Sequence, residues 1–515
     1  MKPRLPVSAW HRPVRRATLS AVLAVLIGYG GSASAAGPRM AEGMGVEEAR
    51  HLLYRTGFAA TPAEVERFAR LSRDEAVDRL LAGTRRSAMT PPPAWTERYE
   101  RVFRPDMTAE ERQQANRREQ IERGLELRAW WLTEMVNTPS PLTERMTLFW
   151  HSHFATSQQK VRVAWLMWQQ NVLLREHAVG NFATLLHAMA KDPAMLLYLD
   201  GAQNRRTAPN ENFARELMEL FTLGEGHYTE RDVKEAARAF AGWSVDADHG
   251  RFLLRPFQQD RGPKVLFGRS GNFGGADVLD LLLEQPATAA RITSKLWREF
   301  VGEPLEEDRE TMARLAEAFR SGGYEIKPLL RGILLSERFW SAGQRGNQIK
   351  SPVDLVVGTL RGFERPAENP AALAIVLRGL GQDLFGPPNV KGWPGGDAWL
   401  SASSLLARKA FLDRLFRTDA QADESPAASA MMATRDPAAR AYERAQRRRM
   451  APQSSGAFSA SAWLAAQDSE SGRTRERLVA LLLALPPVEL TVAELRGEPL
   501  AFLRALVLDP AYQLK

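Results

Sequence analysis

The chain has no cysteine among its 515 residues. That removes thiolate nucleophiles, cysteine-ligated zinc, iron–sulfur clusters and disulfides together, so packing alone must hold the fold. Histidine is scarce, with eight copies. There is no serine nucleophile elbow, phosphate-binding loop or dinucleotide fingerprint. Beyond about residue 35, no stretch reaches the roughly 18 apolar residues that mark a membrane helix. No integral membrane segment is therefore expected after leader removal. The net charge of +8, with a pI near 9.7, is arginine scattered among nearly as many acids. That pattern gives no basic stripe and argues against nucleic acid; contact with an anionic polysaccharide is compatible with it.

What is present begins with a leader. Lys2, Arg4, Arg12, Arg15 and Arg16 form a basic front, an apolar run spans Ala17 to Gly30, and Ala33-Ser34-Ala35 is a small-x-small cleavage site. Residues 1–35 read as a signal peptide. Arg15-Arg16 suits the twin-arginine route, with the general secretory route also open. The expected location is periplasmic or extracellular.

Helix grammar fills the rest. Thr61-Pro62-Ala63-Glu64 and Ser72 with Asp74 and Glu75 are start signals. A long polar helix runs from Glu110 into Leu132 and breaks at Asn137-Thr138-Pro139. One helix is expected over 158–178, and two short ones over 181–200, split at Asp192-Pro193. Two alternating stretches, 249–255 and 264–268, read as strands. The expected fold is all-α: a multi-helix globular domain over 46–417 with one small β-hairpin near 250–268. Residues 418–475, poor in large apolar side chains, are expected to form a flexible low-complexity insert. Helices in 476–515 should pack back on the main domain.

Chemistry concentrates in three stretches. In the first, 209–224, helical spacing puts Phe213, Leu217, Leu220 and Phe221 on one side and Glu211, Arg215, Glu216 and Glu219 on the other. The polar side is either a solvated face of ion pairs, each worth a few tenths of a kcal/mol, or part of a catalytic group of Glu211, Arg215, Glu216 and Asp200. Glycoside cleavage uses two carboxylates roughly 5–9 Å apart, one with a raised pKa; Glu211 or Glu219 with Asp200 or Glu230 would supply them. The second stretch is His151-Ser152-His153. Two imidazoles and a carboxylate, with His227 as a further ligand, would hold a divalent transition metal. Alternatively, the two histidines cap a helix end. The third is the loop from Asn389 to Trp399. Trp393 and Trp399 suit stacking on a sugar, and Asn389, Lys391 and Asn210 suit hydrogen bonds to its hydroxyls; alternatively, the tryptophans pin the loop into the core. His151 and His153 are expected to meet the polar face of a 211–223 helix, with Asn210, Glu211 and Arg215 nearest.

HLLYRTGFAATPAEV from His51, LTERMTLFWHSHFATS from Leu142, PNENFARELMELFTLGEGHYTERDVKEAARAFAGW from Pro209 and LGQDLFGPPNVKGWPGGDAWL from Leu380 resemble a large bacterial family catalogued as domain of unknown function 1800. The resemblance spans about residues 48 to 412. It implies an exported, mostly helical protein, often encoded beside a second exported protein resembling sulfatases and phosphatases. It transfers no catalytic residues. The family usually reads His-Asp where this chain has Gln259-Asp260. Two functional expectations follow: a metal- or carboxylate-dependent hydrolase of an envelope or extracellular polymer, or a non-catalytic helical scaffold binding the sulfatase-like neighbour.

Overall fold

Capping residues set where the helices begin. Thr61, Ser72, Thr108, Thr229, Ser351 and Thr491 each accept from the backbone N–H three residues on, and an acid at that third position bonds back to the cap's own N–H. Each such box satisfies two donors that a helix start leaves open. The computed structural model describes residues 43–99, 107–416, 459–467 and 474–515. Among these the fold is all-α, apart from two small antiparallel sheets of two strands each. No described helix is long and apolar enough to cross a membrane. Residues 1–35, where a leader is expected, and most of 418–475 lie outside the described residues. One helix within that stretch, Ala460–Ala466, packs Trp463 against Phe363 with ring centroids 4.9 Å apart.

The helix Pro141–His153 is buried along most of its length, polar residues included. Glu144 accepts from Arg175 at 2.6 and 2.9 Å and from Trp131 Nε1 at 2.7 Å. Arg145 donates to Asp354 and to the Gly57 carbonyl. Asp354 also receives Lys515 Nζ at 2.8 Å, while Tyr512 Oη meets Thr359 Oγ1 at 2.9 Å. Through these contacts the last residues of the chain close over the middle of the fold. Thr474–Leu482 lies on Val46–Thr56, and Pro499–Leu508 lies on Ala402–Leu415.

Three local expectations are corrected. The alternating stretches do not pair with each other. β1 (Trp243–Asp246) pairs with β2 (Arg251–Leu254), and β3 (Lys264–Leu266) pairs with β4 (Arg269–Gly271), so there are two hairpins. Tight turns choose the partners: Gly250 has φ 62, and Phe267 and Gly268 have φ 50 and 77. The single 158–178 helix is two, Gln158–Val161 and Ala164–Glu176, with Arg162 left-handed at φ 61 between them. The 211–223 helix is regular only over Asn212–Glu216; Leu217–Thr222 is a π turn. There Leu223 N–H reaches Met218 O at 2.8 Å and Thr222 Oγ1 reaches Leu217 O at 2.7 Å. Single π turns within helices occur frequently at functional sites.

Candidate functional site

His153 lies in the core with both ring nitrogens engaged. Lys295 Nζ is 2.9 Å from Nδ1, and the Phe221 carbonyl is 3.2 Å from Nε2. Lysine only donates and a carbonyl only accepts, so His153 is neutral with its proton on Nε2. Burial, then the charges of Lys295 and Arg291, hold it well below the usual histidine range. Burial and the nearby Arg291 and Arg298 in turn lower Lys295 to about 7.

His151 points elsewhere. Its ring lies against Trp131, Phe385 and Trp393, with centroids 5.6, 5.4 and 5.6 Å away, and its Nε2 has no hydrogen-bond partner. Burial, with a smaller push from Arg128, lowers its pKa to about 3. His227 is exposed in the turn after the π segment. Among the described residues, no group of three or more His, Asp or Glu is arranged to hold a metal. The expected site of His151, His153 and His227 is therefore corrected. Residues two apart on a helix project about 200° apart, and the lone pair His153 would offer a metal already accepts from Lys295.

Because His151 is a partnerless polar ring in an aromatic box, His151→Phe is expected to shift stability by about 1 kcal/mol or less. His153→Phe should cost about 1–3 kcal/mol, since it strands the Phe221 carbonyl and leaves the Lys295 amine only its 3.4 Å bond to Leu220 O. Urea unfolding of both variants measures the contrast.

The polar face of the 209–224 stretch divides. Arg215 holds Glu230 through two bonds of 2.5 and 2.8 Å and reaches Glu211 at 3.4 Å, all partly or largely exposed. Asn210 fixes the helix start: its Oδ1 accepts from Asn212 N–H at 2.9 Å, and its own N–H donates to Asn204 Oδ1 at 3.0 Å. Glu211 and Arg215 thus form a partly solvated network with Glu230, and Asn210 caps the helix start. The prediction that all three lie nearest the two histidines is corrected as well. What His153 meets on this segment is a backbone carbonyl. Glu211→Gln is expected to change stability by about 0.5 kcal/mol or less and to leave any activity intact, as thermal melting and turnover would show.

Glu216 and Glu219 make no hydrogen bond to that network, though the charge of Arg215 reaches Glu216. Burial, then the charge of Glu219, push the Glu216 carboxyl up, while Lys391 and Arg215 pull it down. Glu219 Oε2 accepts from Tyr228 Oη at 2.9 Å. Burial and Glu219 push that phenol up to about 12. Tyr198 is raised by burial and by the charge of Glu216. Lys160 Nζ stands 5.6 Å from the Tyr198 ring centroid and 2.9 Å from Asp200 Oδ2. Asp200 and Glu216 are thus linked into one patch through Tyr198 and Lys160, and Lys391, far away in sequence, joins it through its charge on Glu216.

Local structure explains the gathering. Asp200, left-handed at φ 59, turns the chain after Pro193–Tyr198, and Asn212 Nδ2 donates to Leu199 O at 3.0 Å, tying the next helix to that turn. Arg291 and Lys295 donate to Leu220 O at 3.2 and 3.4 Å, holding the π turn from behind. Sequence reasoning missed Tyr198, Tyr228, Lys160 and Lys295. The one signal for Lys295 was a lysine between Ile292 and Leu296, both buried in Pro286–Phe300.

The 389–399 loop is pinned from below. Trp399 is buried, and Trp393 packs on His151 while its backbone N–H donates to Ser152 Oγ at 3.3 Å. Gly392 has φ 86, and a Cβ there would meet Ser152 O at 2.4 Å, so only glycine lets the loop sit this close. Asn389 Oδ1 is taken by Lys391 N–H at 2.8 Å. The expected stacking of Trp393 and Trp399 on a sugar is corrected to core anchoring. Of this loop's candidates, Lys391 alone reaches the Glu216 patch.

The family model described as "Protein of unknown function (DUF1800)" matches residues 51–490, and the chain belongs to that family. No curated protein and no solved structure matches it.

Proposed function

We propose that the protein is an exported hydrolase that cleaves glycosidic bonds in an envelope or extracellular polymer, with Glu216 as proton donor and Glu219 as the neighbouring carboxylate. One observation carries the reading: Glu216 is pushed up by burial and by the charge of Glu219 beside it. Glycoside cleavage needs one carboxyl whose ionisation is disfavoured beside a second carboxyl, and burial with Glu219 alongside gives Glu216 the first of those roles. Glu216 would protonate the departing glycosidic oxygen, and Glu219 would attack the sugar carbon or activate a water. Tyr198 and Lys391 would border the bound chain. Reducing-end release from a panel of polysaccharides tests this. Glu216→Gln and Glu219→Gln should each lower the rate by about 10²–10⁴-fold, with unchanged melting; wild-type rates in both variants would reject it.

A second reading, a non-catalytic partner for an exported sulfatase-like protein, draws on Leu485, Val488 and Val492. These apolar side chains are 40%, 72% and 65% exposed within one short stretch. Co-purification that survives in the wild type and is lost on Val488→Lys would favour it.

A further inference from the structure

A cavity of about 750 Å³ opens between the helix Ala109–Asn137, the short helix Gln158–Val161 and the helix Pro370–Gly379 with its following loop. That volume lies within the range of about 300–1,000 Å³ usual for small-ligand sites. Its charge is one-sided. Arg117, Arg128, Arg162 and Arg378 line it, against a single acid, Asp383. Asp383 is already engaged, accepting from Arg128 at 2.6 and 3.3 Å. Arg128 also donates to Gly124 O and Gln158 Oε1, each at 2.8 Å, and so belongs to the framework. Arg117 and Arg162 are exposed, and their side chains have no ion-pair or hydrogen-bond partner among the described residues. Arg162 moreover holds the left-handed conformation, φ 61, that interrupts two helices at the rim. Left-handed backbone in a residue other than glycine costs roughly 1–3 kcal/mol and clusters at ligand sites.

The rest of the lining narrows the ligand. Gln113, Asn116 and Gln159 bring neutral amides that both donate and accept, while Ile121, Leu125 and Ile375 give an apolar floor. Guanidinium forks match carboxylate and sulfate groups; amides match hydroxyls; an apolar floor matches the C–H face of a sugar ring. Among the described residues no Phe, Tyr or Trp lines the cavity, so they offer no stacking platform of the kind a single-stranded nucleic-acid site uses. We propose that this cleft binds an acidic oligosaccharide, with Arg117 and Arg162 meeting its carboxylate or sulfate groups and the three amides meeting its hydroxyls. The short helix that supplies Gln159 also carries Lys160, which holds Asp200 beside the Glu216 patch. The proposal deepens the hydrolase reading, on which it rests for the polymer's being a substrate but not for its being bound.

Titration calorimetry of the full mature chain tests it, with hexagalacturonate as the carboxylate probe, a fully sulfated heparin hexasaccharide as the sulfate probe, neutral cellohexaose and a short single-stranded oligonucleotide. At least one acidic hexasaccharide should bind saturably, and which one does identifies the anionic group. The double substitution Arg117→Gln, Arg162→Gln should weaken that binding by about tenfold or more, which equals 1.4 kcal/mol. Arg309→Gln with Arg314→Gln removes the same charge from another helix, Arg309–Ser321, and should change it less than about twofold. Absence of binding by both acidic probes, equal binding of cellohexaose or the oligonucleotide, or an unaffected double variant would each overturn the proposal. Binding without cleavage by the wild type rejects the hydrolase reading alone; cleavage indifferent to Arg117 and Arg162 rejects the cleft alone.

Discussion

Lowering the pH from 6.5 to 4.5 is expected to remove a large part of the protein's stability. Burial lowers His51 and His151 to about 3 and His153 well below the ordinary value. Between pH 6.5 and their folded values the unfolded chain binds these protons and the folded chain does not, so stability falls as pH falls. Each group contributes about 1.4 kcal/mol per pH unit. Asp192 acts in the opposite sense. Burial raises it to about 7, against hydrogen bonds from Met195 N–H and Gln170. Below pH 7 the folded state therefore binds the extra proton, which offsets one histidine. The net expectation is a loss of roughly 3 kcal/mol per pH unit, against total stabilities of about 5–15 kcal/mol for folded domains. Above pH 7 the sign favours the fold. Burial lowers Lys295 and Lys350 to about 7 and Lys515 to about 8, so the unfolded chain binds more protons and stability climbs toward pH 9. Urea unfolding across this range checks both limbs. His151→Phe should flatten the acid limb by about half; an unchanged slope would show that the ring is not held neutral.

The second large effect is expected at Asp354. Its carboxylate sits in the core, takes the Arg145 guanidinium, accepts Lys515 Nζ at 2.8 Å, and closes the Ser351 capping box at 3.0 Å. Those cations hold it far below the usual carboxylate range despite the burial that would raise it. Asp354→Ala strands Arg145 and Lys515 inside the protein, with Lys350 and Arg408 near enough for their charges to be felt. Breaking a buried pair from one side costs about 3–5 kcal/mol, and losing a cap adds about 1. The variant should unfold at markedly lower urea. It should also loosen the last helix, Pro499–Leu508, which amide exchange would reveal. A loss below about 1 kcal/mol would mean the cluster is solvated.

Much of the fold was legible because helix starts are local. Thr61 with Glu64, Ser72 with Glu75 and the Asp192-Pro193 split can be read from four residues each, and all stand in the structure. The strands were legible and their partners were not. Alternation marks a strand, but Phe267-Gly268 and the turn before Gly250 decide what it pairs with. The π turn at Leu217–Thr222 was invisible for the same kind of reason. Cations on another helix, Arg291 and Lys295, supply the donors that accommodate it. At the candidate site the sequence marked Glu216, Asp200 and Lys391. It marked the histidines for the wrong role, because what surrounds them comes from far away in the chain. Trp131, Phe385 and Trp393 enclose His151, and Lys295 occupies His153. A H-x-H triplet on a helix cannot converge, and only the helix end at Phe154 would have revealed that both residues lie inside it.

The claim that burial and the neighbouring Glu219 make Glu216 a proton donor can be tested without knowing the substrate. Carbon-13 NMR titration of glutamate carboxyls, with Glu216 assigned by its loss in Glu216→Gln, reads the group directly. The account predicts a midpoint above the ordinary glutamate value of about 4.3, and a fall toward it in Glu219→Gln, where burial alone is left to raise it. A Glu216 that titrates at the ordinary value, or is indifferent to Glu219, would contradict the account.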